Sequence, residues 1–194
     1  MFNKPRLLTP GPTPLPERVR LALAQDMIHH RKPGFKKILL ETETMLQKLF
    51  GTEQPVLPLS CSGTGAMTAA VHGLFLPGET VIVVNGGKFG ERWSKIAAVR
   101  GLKVVEIDVA WGQAVTPAQV EQALREHPEA KGVFMQVCET STAAQHPVEA
   151  IARLTRTREV LLVADGISAV GISPCPMDAW GIDCLLTGSQ KGLL

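Results

Sequence analysis

The sequence is short of the features that mark a polyelectrolyte binder or a membrane protein. Lys and Arg number 20 against 18 Asp and Glu, a formal net charge of +2, so no field of one sign points to nucleic acid or an anionic membrane. Long apolar runs are also missing. VLPLS, TVIVVN, GVFMQVC and EVLLVAD are each far too short to span a bilayer, and MFNKPRLLTPGPTPLPE lacks the continuous apolar segment of a secretory signal. These absences point to the cytoplasm. Cysteine is scarce too. Cys61, Cys138, Cys175 and Cys184 form no C-x-x-C pair and no Cys/His cluster, which argues against zinc and a disulfide framework and suits reduced thiols; no metal site is expected. No internal repeat or low-complexity tract interrupts the chain.

What is present is enough apolar material, 45% of 194 residues, for one substantial core. TPGPTPLPE reads as an extended arm, residues 1–15, with a helix starting at Pro16 and running to about His29. In GFKKILLETETMLQKLFG the residues Phe35, Ile38, Leu39, Thr42, Met45, Leu46 and Leu49 recur at helical spacing, and Gly51 fits a C-terminal cap. From there apolar runs alternate with helical patterns. Strands are expected near 56–60 and over 80–84, 102–107, 132–138, 160–164 and 183–187. Helices are expected from 64, from about 90, over 116–125 behind a Thr116/Gln119 capping box, and over 147–157. Strands rich in Val, Ile and Leu without polar alternation, separated by helices, predict an α/β fold: three layers, with a mostly parallel sheet between helices.

In such folds ligands gather beyond the carboxyl ends of the strands. Those ends read CSGTGAM, NGGKFGERW, CETSTAAQ, ADGISAVG and TGSQKG. Ser62-Gly63-Thr64-Gly65-Ala66, between strand and helix, either offers backbone N–H groups to an anion such as phosphate or simply makes a tight turn. Asp165 is either a turn-forming carboxylate or one that faces a cationic ring nitrogen. Lys191 is either a solvated lysine or a Schiff-base amine. An anion cradle, a strand-end acid and a strand-end lysine are together the parts that a pyridoxal phosphate site requires.

At this point the chain resembles the class V, fold-type I aminotransferases of the alanine-glyoxylate and serine-glyoxylate (serine-pyruvate) type. The resemblance is carried in order by TPGPTPLPERV, MIHHR, SGTGAM, VVNGGKFGERW, ETSTA, VADGISAVG and GSQKGL, and it covers essentially all of the chain. It implies that Lys191 forms the Schiff base with pyridoxal 5'-phosphate and that Asp165 pairs with the pyridine nitrogen. It further implies that Thr64, Gly65 and Ala66 hold the phosphate, with help from Gln190, and that Thr140 bonds near the phenolic oxygen or phosphate. Phe89 would stack on the ring face. Gly11 aligns with a glycine near the substrate carboxylate, and His30 lies in a loop to which the resemblance gives no definite place.

The activity implied is transamination of a small amino acid, alanine or serine, with a 2-oxo acid such as glyoxylate or pyruvate, in a homodimer. Family members run to about twice this length. The resemblance therefore makes the chain an N-terminal half: residues 16–194 form an incomplete large domain, without the C-terminal domain or the arginine that grips the substrate carboxylate. A cysteine desulfurase shares fold and cofactor, but it usually carries histidine where this chain has Gln190 and Phe89. A non-catalytic remnant that binds cofactor or only dimerises is the remaining reading.

Overall fold

The computed structural model describes residues 7–193; residues 1–6 of the expected arm and residue 194 of the expected domain lie outside the described residues. Helices α1 (Glu17–Leu23), α2 (Pro33–Phe50) and α3 (Gly63–Leu74) come first. Strand β1 (Thr80–Asn85), helix α4 (Lys88–Arg100), strand β2 (Lys103–Asp108), helix α5 (Pro117–Glu126) and strand β3 (Gly132–Gln136) then alternate. A short hairpin, β4 (Cys138–Glu139) with β5 (Ala144–Gln145), leads to helix α6 (Val148–Arg156), strand β6 (Leu161–Asp165), the one-turn helix α7 (Met177–Trp180) and strand β7 (Cys184–Leu186).

The main sheet runs in the order β2-β1-β3-β6-β7, and every neighbouring pair is parallel. Successive side chains on a strand point to opposite faces, so each strand feeds two cores. Val81, Val83, Phe134 and Val163 pack with Met67 and Val71 of α3 and Trp93 and Ala97 of α4. Ile82, Val84, Val133, Met135, Leu162 and Ala164 pack with Val120 and Leu124 of α5 and Ile151 and Ala152 of α6. The chain steps from β1 outward to β2 and then crosses back to β3. The strand order thus reverses between β1 and β3, which is where a parallel sheet opens a crevice for ligands.

Local chemistry sets the element ends. The Thr116 hydroxyl accepts from the Gln119 backbone, and the Gln119 side chain accepts from Thr116, with Pro117 in the first turn. Helix α4 stops at Gly101, which is left-handed at φ 83°.

Five of the expected strands form within two residues of their expected bounds. The strand expected near 56–60 does not form. That stretch is extended but unpaired, and only Val56 is half-buried, because Pro58 has no N–H to give a ladder. The first helix ends at Leu23 rather than near His29; it buries none of its residues, so no packing extends it.

Candidate active site

The site assembles where the loops after β1, β3, β6 and β7 meet the N-termini of α3 and α4. At α3, Ser62 caps the helix: its Oγ accepts from the Gly65 N–H at 3.2 Å, and its carbonyl takes the Ala66 N–H at 3.0 Å. The N–H groups of Gly63 and Thr64 therefore remain as the helix's outward donors. Of the three residues expected to hold an anion, Thr64 keeps both a free N–H and a hydroxyl, whereas those of Gly65 and Ala66 are turned inward. Gly63 lacks a side chain where one would collide: a Cβ there would clash with Ile167 Cδ1. That contact joins α3 to the turn after Asp165.

Helix α4 has no cap of its own, since Gly87 precedes it. Glu139, from β4, fills the role and is fully buried. Its carboxylate accepts from the N–H groups of Phe89 and Gly90, each at 3.1 Å, and from the N–H and hydroxyl of Ser141 at 3.1 and 2.6 Å. A carboxylate at a helix N-terminus is favoured by the macrodipole as well as by those bonds. Phe89 is thereby fixed at the start of α4, and the Arg92 guanidinium covers one face of its ring at 4.7 Å. Arg92 also donates to Thr64 Oγ1 at 3.1 Å, linking the two helix N-termini.

Asp165 ends β6 on the same sheet face as Val163, beneath these helices. It is 5% exposed, and its Oδ1 accepts the Ile167 N–H at 2.9 Å. Burial pushes its carboxyl up to about 6 from an ordinary 3.8; the Ile167 N–H opposes this, the Glu139 charge adds to it, and Arg92 and Lys191 pull it back. Beside it, in register on β3, Gln136 is 1% exposed, and neither of its amide atoms has a partner among the described residues. Thr140 Oγ1 lies 2.5 Å from Ser168 Oγ, three residues beyond Asp165.

Strand β7 pairs with β6, Leu186 opposite Asp165, so the chain leaving β7 carries Lys191 back toward that acid. Lys191 is half-buried, and the expected arm lies over it. The Thr13 N–H donates to the Gln190 carbonyl and the Thr13 hydroxyl to the Lys191 carbonyl, each at 3.4 Å. Gly11 allows the approach: a Cβ there would lie 2.9 Å from Lys191 Nζ. The Gln190 amide folds over Gly188. His30 stacks on His29 in an exposed turn and forms no hydrogen bond or ion pair with these residues.

Thr64, Phe89, Thr140, Asp165, Lys191, Gln190 and Gly11 thus converge at one end of the sheet. Ser62, which opens the expected anion-binding stretch, joins them, as do Glu139, Arg92 and Ser168, which the sequence alone does not single out. Both Glu139 and Arg92 sit at strand ends, in CETSTAAQ and NGGKFGERW, but the bonds that tie them to α4 and α3 join residues 50 and 28 apart. Among the described residues no three His, Cys, Asp or Glu form a group that could hold a metal.

Comparison with known proteins agrees on one family. The profile described as Aminotransferase class-V matches residues 10–194. The chain is 38% identical to the "Soluble hydrogenase 42 kDa subunit" of Anabaena cylindrica, over all of this chain and 51% of that protein. It is 33% identical to a serine–glyoxylate aminotransferase of Methylorubrum extorquens, over 97% of this chain and 48% of that one. The crystal structure of an alanine–glyoxylate aminotransferase from Nostoc superposes with a TM-score of 0.94 at 32% identity, covering all of this chain and 52% of that one. The chain spans about half the length of the curated relatives it matches.

Proposed function

From the premise that this chain belongs to the class-V aminotransferase family, we propose that it carries the pyridoxal phosphate site of a transaminase. The proposed reaction moves the amino group of a small amino acid, alanine or serine, onto a 2-oxo acid such as glyoxylate or pyruvate; serine–glyoxylate and alanine–glyoxylate aminotransferases among the relatives support that choice. The observation that carries the reading is Asp165. A carboxyl that is 5% exposed, paired with no cationic side chain within 4 Å among the described residues and pushed up to about 6, is one whose charged form a nearby cation would stabilise, and a protonated pyridine nitrogen would be such a cation.

Pyridoxal phosphate, when bound, supplies an amine-reactive aldehyde and an electron-withdrawing ring. The residues of this chain fit it. Thr64 and the outward N–H groups of α3, with Gly65 and Ala66 shaping the turn and Gln190 beside it, would hold the phosphate. Phe89 would lie against the ring, Thr140 would bond the phenolic oxygen, and Asp165 would keep the ring nitrogen protonated. The Lys191 amine would anchor the aldehyde and, once displaced by the donor, take and return the proton of the substrate's α-carbon. Gly11, packed against the Lys191 side chain, would lie near the substrate carboxylate. Residues 16–194 then belong to a cofactor-binding large domain, with an arm whose residues 11–13 lie over Lys191.

A homodimer in the cytoplasm is part of the same proposal. Four cysteines without disulfide partners and several exposed Leu, Ile and Met side chains on α1 and α2 support it. The test is spectroscopic. Added pyridoxal phosphate should produce an absorption band near the edge of the visible in the wild type, and Lys191→Ala should abolish it; alanine or serine should then bleach the band and glyoxylate or pyruvate restore it. A wild-type protein that gives no such band overturns the proposal.

A further inference from the structure

Arg92 opens the second turn of α4 and is half-buried, yet it pairs with no carboxylate within 4 Å among the described residues. Its neighbour Glu91 turns instead to Lys88 and Lys95. The guanidinium is committed in two other directions. Its plane covers the Phe89 ring at 4.7 Å, and Nη1 donates to Thr64 Oγ1 at 3.1 Å.

The direction of that second bond matters. A threonine hydroxyl has one proton and can serve as donor or acceptor. Because Thr64 Oγ1 accepts from Arg92, which has no acceptor of its own, its proton is left to be given onward, and what a phosphate oxygen needs is a donor. The same cation stands beside the positive N-terminus of α3, where it reinforces attraction for an anion. One side chain thus orients the hydroxyl at the phosphate end of the site and braces the aromatic at the ring end.

On the reading that this is a pyridoxal phosphate site, we infer that Arg92 is a positioning residue for the cofactor's phosphate, acting through Thr64. It holds the Thr64 hydroxyl as a donor and seats Phe89 against the first turn of α4, without contact with the reacting atoms.

Two ligands separate this role from simple support of the fold. Pyridoxal has the ring and the aldehyde but no phosphate, so the ratio of pyridoxal phosphate affinity to pyridoxal affinity, each read by titrating the Lys191-dependent band, isolates the phosphate end. Arg92→Gln should lower the affinity for pyridoxal phosphate by about tenfold more than that for pyridoxal, tenfold being the worth of a hydrogen bond to a charged group, with only the weaker brace on Phe89 lost to both ligands. Thr64→Val should lower the ratio by a similar factor, and the double variant should be no worse than either single one, because both remove the same device. Equal losses for both ligands in Arg92→Gln would make Arg92 a purely structural residue; an unchanged ratio in Thr64→Val, or additive losses in the double variant, would also overturn the inference. Should Arg92→Gln not fold, Thr64→Val decides, since it leaves the guanidinium in place over Phe89. A wild type with no band for either ligand, or a band that survives Lys191→Ala, removes the cofactor reading itself and this inference with it.

Discussion

Asp165 shows how a single side chain ties stability to function. In the cofactor-free protein its carboxyl titrates near 6 rather than 3.8 because burial penalises the charge. Between those values the folded state binds a proton that the unfolded chain has released, so this group's contribution to stability falls as pH rises from 3.8 to about 6 and then levels off. The difference corresponds to about 3 kcal/mol at neutral pH. Asp165→Asn, which keeps an oxygen for the Ile167 N–H, should therefore be more stable than the wild type by about 1–3 kcal/mol above pH 7 and no different near pH 4, as measured by urea unfolding without cofactor. An advantage that is independent of pH would show that the buried charge is not its source. Asp165, Lys191 and Thr64 were legible in the sequence because each follows an apolar run and is flanked by glycine. Arg92 was not, because what gives it meaning is Thr64, 28 residues earlier and on another helix. Gln136 was equally hidden: only strand register sets it beside Asp165.

Elements depend on one another through similar long-range bonds, and α4 is the clearest case. Its N-terminus is capped by Glu139 from the hairpin that follows β3, not by a residue of its own loop. Glu139→Ala would strip the acceptor from the Phe89 and Gly90 N–H groups, the latter buried, and from the N–H of Ser141. It should cost about 2–4 kcal/mol in thermal or chemical unfolding, and Glu139→Gln, which keeps one acceptor oxygen, about half as much. Equal stability of Glu139→Ala and the wild type would mean that the cap contributes nothing. The parallel strands were readable because their apolar runs are long and unbroken, and α5 because Thr116, Pro117 and Gln119 form its cap within four residues of sequence. The 56–60 stretch misled because its apolar content suits a strand while Pro58 interrupts the ladder. The two-residue strands of the hairpin and the single turn of α7 are too short for any period to register.

At the scale of the molecule the two halves of the chain differ in what they bury. From α3 through α6 the helices lie against the sheet, whereas α1 buries no residue and α2, 18 residues long, buries only Phe50. Leu21, Leu23, Met27, Ile38, Leu40 and Met45 are instead exposed, Met27 completely. Helices draw most of their stability from packing an apolar face, so α1 and α2 require a cover. In a solution of this chain alone the available cover is another copy of it. The sheet edges compete less well. At the β2 edge Lys103, Glu106 and Asp108 are exposed charges that discourage strand pairing, and β7 is only three residues long. The purified chain should accordingly self-associate, with an apparent mass in light scattering that rises with concentration. Ile38→Glu combined with Leu40→Lys should lower that mass, while Glu106→Gln on the β2 edge should leave it unchanged. A monodisperse monomer at every concentration would show that α1 and α2 hold their apolar faces open without a partner, and a mass that responds to the β2 edge but not to α2 would place the contact on the sheet.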